Sequence, residues 1–385
     1  MSVLQVAIDF SARGNLRDFD ARGFGEPEPA HCWSIGALSQ LRLPVAARGQ
    51  PHVVLLHAVP FLHPPRIVKQ TVRIGLNAEV VATVTAAEEF VFALPIPPQH
   101  TQGDDVLLSF FHEDSEASRA VDRYRNGQSM GLMCLSLWFF VTPPRPPEEL
   151  VFMPPLGSDP AAELVPRVEQ ATGRDIASLL MGFESLGHRC AFGAFQERYG
   201  ANPLSLLRFA GLTTPRLVQN LMHLFAGIGA PENLQVYMPD DTPGRYGLYD
   251  GNVGIWYHTS QHIALVSPEK VVALAARRLP FLQRKFMQDL ESGEKVFVIN
   301  RTPPMTEPEA LAIFAALESF GRNTLVWTNQ DGNLPAGMVV RLAPRFYYGQ
   351  LDRGGYDGNA SDEAWLNVVA NAVLLRDKES VAPRL

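Results

Sequence analysis

Apolar and polar positions alternate with a period of two through the first 141 residues, the spacing of strands buried on one face. In 40–45 (QLRLPV) Leu41 and Leu43 share a face, whereas 52–59 (HVVLLHAV) is a continuous apolar run, suited to a strand covered on both sides. The run 68–76, the pair Asn77-Ala78 and the run 79–84 read as strand, tight turn, strand. Runs 90–94, 106–111 and 133–141 complete an all-β sandwich, jelly-roll-like, over residues 1–141. The polar stretch 112–131 interrupts it as a loop, where Asp122, Arg123 and Arg125 are either ligand contacts or plain solvated side chains.

The pattern then changes. Residues 142–155 (TPPRPPEELVFMPP) hold proline too densely for a sheet or helix interior and predict an extended linker. From 156 to 378 the period lengthens to that of helices alternating with short apolar strands. Helical segments are expected at 161–172 and 175–182. Ser267-Pro268-Glu269 opens a helix that Pro280 should break, with a successor running to Ser292-Gly293. A strand at 295–300, a capping box from Thr306 to Glu309, a helix carrying Leu311, Phe314 and Leu317, and a strand at 324–328 make a βαβ unit. A further strand at 338–342 and a helix capped by Ser361 follow. The second domain is therefore expected to be α/β with a mixed or partly parallel sheet. Strand ends place Asn300 and Arg301, and Asn329 and Asp331, where such sheets present ligands. No glycine-rich dinucleotide or phosphate-loop pattern follows either strand, so no cofactor is expected.

Composition narrows the class. A chain of 385 residues with 46% hydrophobic and 19% charged residues can bury two cores and is not of disordered type. The net charge of −7 and the lack of basic runs argue against nucleic-acid partners. Cys32, Cys134 and Cys190 are odd in number and far apart, which fits a reducing compartment better than a disulfide framework or a metal site. The opening residues lack a secretory pattern, and no apolar run is long enough to span a bilayer, so the expected location is cytoplasmic.

The sharpest chemical signal is 183–212 (FESLGHRCAFGAFQERYGANPLSLLRFAGL). Gly187 breaks the chain before Cys190, and Phe192, Phe195 and Tyr199 then recur at helical spacing to Gly200. Cys190 thus falls in a first helical turn, off the apolar stripe, where unpaired N–H groups favour a thiolate; His188 and Arg189 would add to this if they face it. The plain alternative is a small buried hydrophobe. The segment resembles a family of bacterial papain-like cysteine peptidases through Leu186, Gly187 and Cys190, then Pro203, then His258 in VGIWYHTS, and on through ARRLPFLQRKF and KVFVIN. That resemblance implies Cys190 as nucleophile and His258 as general base. It departs from the family pattern at Leu207-Arg208-Phe209-Ala210, where an aromatic-Asp-Trp stretch is usual. A third residue to orient the imidazole is implied, with Asn300 placed in the catalytic set and Asn329 and Asp331 as alternatives of like chemistry.

In the first domain, CWSIGALSQLRL, VVLLHAVPFLHPP and QTVRIGLNAEVV resemble, in that order, the carbohydrate-binding-like jelly rolls beside bacterial surface-polysaccharide enzymes. Trp33 could then stack on a sugar or belong to the core. His52, His57 and His63 lack ligand spacing, and His258 with His262 would pair on a metal only if their segment were helical. Asp240 and Asp241 offer an acidic pair to a sugar nucleotide's metal or form a solvated turn, and 346–359 (FYYGQLDRGGYDGN) reads as a lid or a surface loop. The function expected is a cysteine-dependent hydrolase or acyltransferase linked to polysaccharide metabolism. Glycan binding or assembly without catalysis, and glycosyl transfer, are the alternatives, and glycans or proteins of such a pathway are the expected partners.

Overall fold

The computed structural model describes residues 3–114, 129–142, 150–188, 190–240, 242–354 and 359–381. The chain forms two compact units, Met1–Pro144 with Glu307–Ala315, and Arg145–Thr306 with Ala316–Leu385.

The first unit is a sandwich of two antiparallel sheets. One joins β1 (Val3–Asp9), β10 (Met130–Val141), β5 (His52–Pro60) and β8 (Phe90–Ile96), with β3 (Cys32–Ile35) also on β10. The other runs β2 (Ala21–Arg22), β4 (Leu38–Pro44), β9 (Asp105–His112), β6 (Gln70–Leu76) and β7 (Glu79–Ala86). Leu41, Leu43, Val54, Leu56, Phe110 and Phe139 fill the space between them. The unbroken apolar run lies on β5, where Val53, Leu55 and His57 are buried as fully as their core-facing neighbours. Asn77 takes a positive φ of 54°, turning β6 tightly into β7. Strands β1 and β3, which the pattern of alternation did not mark, hold the edge of the first sheet. The positions Asp122, Arg123 and Arg125 lie outside the described residues.

The second unit has two sheets. The larger is mixed, in the order β11 (Val151–Met153), β19 (Val339–Ala343), β20 (Phe346–Gln350), β18 (Thr324–Asn329), β17 (Val296–Asn300) and β12 (Phe183–Ser185). From β20 to β12 every pairing is parallel, and β17 passes to β18 through a helix, Glu307–Glu318. The smaller sheet, β13 (Ala210–Gly211), β16 (Ile255–His262), β15 (Arg245–Asp250) and β14 (Leu234–Tyr237), is antiparallel. The helices of this unit include α1 (Ala161–Thr172), α2 (Ile176–Met181), α3 (Ala191–Arg198), α4 (Thr214–Met222), α5 (Pro268–Ser292) and α7 (Asp362–Val381), while α6, the Glu307–Glu318 helix, belongs up to Ala315 to the first unit.

Three expectations change here. Val151–Met153, assigned by its prolines to the linker, is a strand paired with β19. Pro280 does not break α5, which runs unbroken from Pro268 to Ser292. The lost hydrogen bond is outweighed by one apolar face, Val271, Leu279, Leu282, Phe286 and Leu290, all buried. Gly229 leaves room for the proline ring, since a Cβ there would come within 2.9 Å of Pro280 Cδ. Finally, the first part of the 346–359 stretch, 346–350, is neither lid nor loop but a fully buried strand between β18 and β19; its aromatic residues are core, with Tyr347 wholly inaccessible, and 355–358 lie outside the described residues.

Candidate functional site

The site grows from the C-terminal end of β12. Leu186 N–H still bonds to Val298 O on β17 (2.9 Å), then Gly187 and His188 reverse the chain with φ of 82° and 75°. Glycine suits the first of these, because a Cβ would also press on Ala210 O at 3.0 Å. His188 holds the turn on three sides. Its N–H donates to Ala210 O (2.8 Å), and its ring nitrogens face Leu212 O (3.0 Å) and Thr302 O (3.2 Å). The ring therefore braces the loop through both nitrogens, and it lines the same cavity as Cys190. Arg189 lies outside the described residues.

Cys190 is the N-cap residue of α3, and its side chain makes no capping hydrogen bond to that helix. The direction of α3 is fixed by its apolar face. Phe192 lies 5.0 Å from Trp365 of α7 and Phe195 6.0 Å, ring centre to ring centre, and all three are buried. Cys190 is left half-buried at the helix start, whereas Cys32 and Cys134 are buried.

His258 stands on β16, exposed, and its Nδ1 is 3.5 Å from Cys190 Sγ. The segment from Leu207 to Leu212 joins the two. Arg208 is buried, and its guanidinium donates to Gly193 O of α3 (2.8 and 3.2 Å), to Ala201 O (3.2 Å) and to Asn202 Oδ1 (3.1 Å). Phe209 O accepts from His258 N–H (3.1 Å), and Ala210 and Gly211 pair with Tyr257 and Trp256 as β13. One short segment thus grips the cysteine helix with a side chain and the histidine strand with its backbone. Nothing in single-sequence spacing announces this role, although a glycine inside an amphipathic helix (Gly193) marks a close approach: a Cβ there would come within 2.8 Å of Arg208 O.

Cys190 and His258 open on a cavity of about 400 Å³ that Ala194, Phe209, Trp256 and Asn359 also line. Trp256 shares a face of β16 with His258, two residues on; it is 43% exposed and its ring stacks on Tyr249 at 5.0 Å. Trp256 was not singled out by the sequence, and Asn359 entered only as the end of the 346–359 stretch, since both depend on pairings distant along the chain.

The other candidates do not line this cavity. Asn300 is buried at the end of β17, where its amide donates to Thr328 Oγ1 (3.1 Å) and O (3.4 Å). Asn329 brackets Met305, accepting from its N–H (3.1 Å) and donating to its carbonyl (3.0 Å). Asp331 accepts from Tyr348 Oη (2.9 Å), and Arg301 donates to Thr214 Oγ1 (2.6 Å). These groups fasten the ends of the parallel strands. His262 shares a strand with His258, not a helix, so the two lack the helical spacing a shared metal needs. Asp240 is exposed and Asp241 lies outside the described residues. In the first unit Trp33 is half-buried, packed edge-on against His31 and Phe61. His57 bonds to Glu89 (2.7 Å), and His52 stacks on Phe139.

Behind the site, Glu184 on β12 is 1% exposed. Burial, only partly offset by Ser205, pushes its pKa up to about 7. Burial likewise raises the Cys32 thiol to about 11 and Cys134 further still.

No family model and no curated protein matches the chain. Among solved structures it is similar to a family GH115 4-O-methyl-alpha-glucuronidase with specificity for decorated arabinogalactans (7% identity, 36% of this chain and 18% of that one, TM-score 0.24). This chain therefore spans under a fifth of that protein. It is similar to a family 35 carbohydrate binding module from Clostridium thermocellum (9% identity, 36% and 100% covered, TM-score 0.23). It is similar also to a family two carbohydrate esterase from Cellvibrio japonicus (8% identity, 98% of each chain, TM-score 0.22). At TM-scores this low the likenesses carry no argument about activity.

Proposed function

We propose that the protein is a cysteine-dependent hydrolase or acyltransferase, with Cys190 as nucleophile and His258 as general base. The observation that carries this reading is the 3.5 Å approach of His258 Nδ1 to Cys190 Sγ at the start of α3. His258 takes the thiol proton, and Sγ attacks a carbonyl carbon. First-turn N–H groups of α3 stabilise the developing oxyanion. The tetrahedral centre collapses, the bond to the leaving group breaks, and His258 gives that group its proton. Water or an acceptor hydroxyl, deprotonated by His258, then attacks the acyl thioester, and Sγ leaves with the proton returned. Trp256 supplies a flat wall for the leaving group or acceptor. Asn300, bonded to Thr328, takes no part in this scheme.

The test is the rate of iodoacetamide alkylation from pH 4 to 10, in the native protein and in His258→Ala. Cys32 and Cys134 are buried and stay silent. The expected midpoint lies below the ordinary thiol value of about 8.5 and rises in the variant. A thiol that is unreactive, or whose midpoint ignores His258, would overturn the reading.

The polysaccharide setting rests on the sequence resemblance of the first domain and on its two-sheet antiparallel architecture, which also favours a second reading, glycan binding by the sandwich. Binding of the full chain on a glycan array is the expected outcome, and an array with no binding would sink it.

A further inference from the structure

A second cavity, of about 270 Å³, shares Phe209 and His258 with the one that holds Cys190. It lies between α5 and the segment that joins the cysteine helix to the histidine strand. Its walls are largely apolar: Leu206, Leu248, Val271, Leu279 and Leu282, all buried. Leu274 stands on the lining with 37% of its surface exposed, and Arg278 is the exposed cation beside it, one turn along α5. Ser205, Thr259, Ser260 and Gln261 also reach the lining, but most of its surface is apolar, which favours a hydrocarbon.

We propose that this cleft receives the apolar acyl chain of the substrate, so that the protein selects medium-chain acyl donors over acetyl ones. The carbonyl carbon sits at Cys190 Sγ, and the chain passes Phe209 and His258 into the cleft, making Leu274, Ala275 and Leu282 determinants of specificity. The inference rests on the cysteine-hydrolase reading and adds the substrate class to it.

The experiment uses the full chain with para-nitrophenyl acetate and para-nitrophenyl octanoate, and follows octanoate binding by calorimetry. The expected ratio of kcat/KM, octanoate ester over acetate ester, is about tenfold or more, since each methylene buried in a matched pocket adds to the discrimination. Ala275→Trp, which fills the cleft, should bring that ratio down about tenfold and abolish octanoate binding. Leu274→Glu, at an exposed position that folding tolerates, should lower the ratio by placing a charge beside the chain. A wild-type ratio near one, with Cys190 rapidly alkylated, would overturn the inference and leave the cysteine reading standing. Octanoate binding that Ala275→Trp does not disturb would also overturn it. An unreactive Cys190 with neither ester turned over would remove the cysteine reading, and the acyl-donor role with it, even if octanoate bound in the cleft.

Discussion

Three residues of the second unit stand out at the scale of single side chains. Cys190 and His258 are poised on one another, and Glu184 is buried behind them without a full set of hydrogen-bond donors. Glu184 makes stability depend on pH in a definite direction. Its carboxyl is ordinary, near 4.5, in the unfolded chain and about 7 in the fold. The folded state thus holds its proton longer, and the stabilising protonated form is complete below 4.5 and is lost as pH rises through 7. Chemical denaturation at pH 5 and pH 8 should therefore show a loss of roughly 3 kcal/mol on going to the higher pH. Glu184→Gln should flatten most of that slope; an equal slope in both proteins would show that Glu184 is not its source. In the first unit His112 works the other way. Burial holds it down to about 4, against 6.5 when free, with Ser39 Oγ 3.1 Å from its ring. Stability it contributes is present above 6.5 and lost as pH falls through 4. Amide exchange in β4 and β9 should quicken from pH 6.5 to 4.5 beyond its intrinsic change with pH, and His112→Gln should abolish the excess.

At the scale of elements, α3 is the part whose placement decides the site. Its aromatic face is held by Trp365 and Phe183, and its backbone by Arg208 at Gly193 O. Gly193→Ala would drive a methyl group against Arg208 and Phe209, at 2.7 Å from Arg208 Cγ and 3.0 Å from the phenyl ring. Because a backbone carbonyl is among the atoms met, relief requires the helix to shift. Overpacking of this kind costs about 1–3 kcal/mol. The expected result is a lower melting temperature together with slower Cys190 alkylation; lost stability with unchanged alkylation would show that the helix start is set elsewhere. The helix itself was legible in the sequence, because Phe192, Phe195 and Tyr199 recur at its period. Its clamp was not, since Arg208 reads as a surface cation until the fold buries it. Helix α5 teaches the same lesson in reverse. A proline predicts a break by local rule, and the buried face of the helix overrides it.

For the whole molecule, the turns and apolar runs marked most strands of the first unit, and the βαβ pattern marked the parallel pairing of β17 with β18. Pairings remote along the chain were another matter. Cys32 and Cys134 stand opposite one another across β3 and β10, and β12 joins β17 over an intervening second sheet. Periodicity reports which face of an element is apolar and says nothing of which partner covers it.

The sequence by itself determined the two classes of architecture, because a period of two and a helical period cannot be satisfied by the same backbone. It also determined Cys190 at the head of a helix, because a glycine break followed by an aromatic stripe leaves that position no other place. Tertiary structure decided the rest: that His258 meets the thiol, that Arg208 and Phe209 hold them together, and that Asn300 fastens a sheet. Those choices depend on contacts between residues far apart in the chain, where burial, and not local propensity, sets the energy.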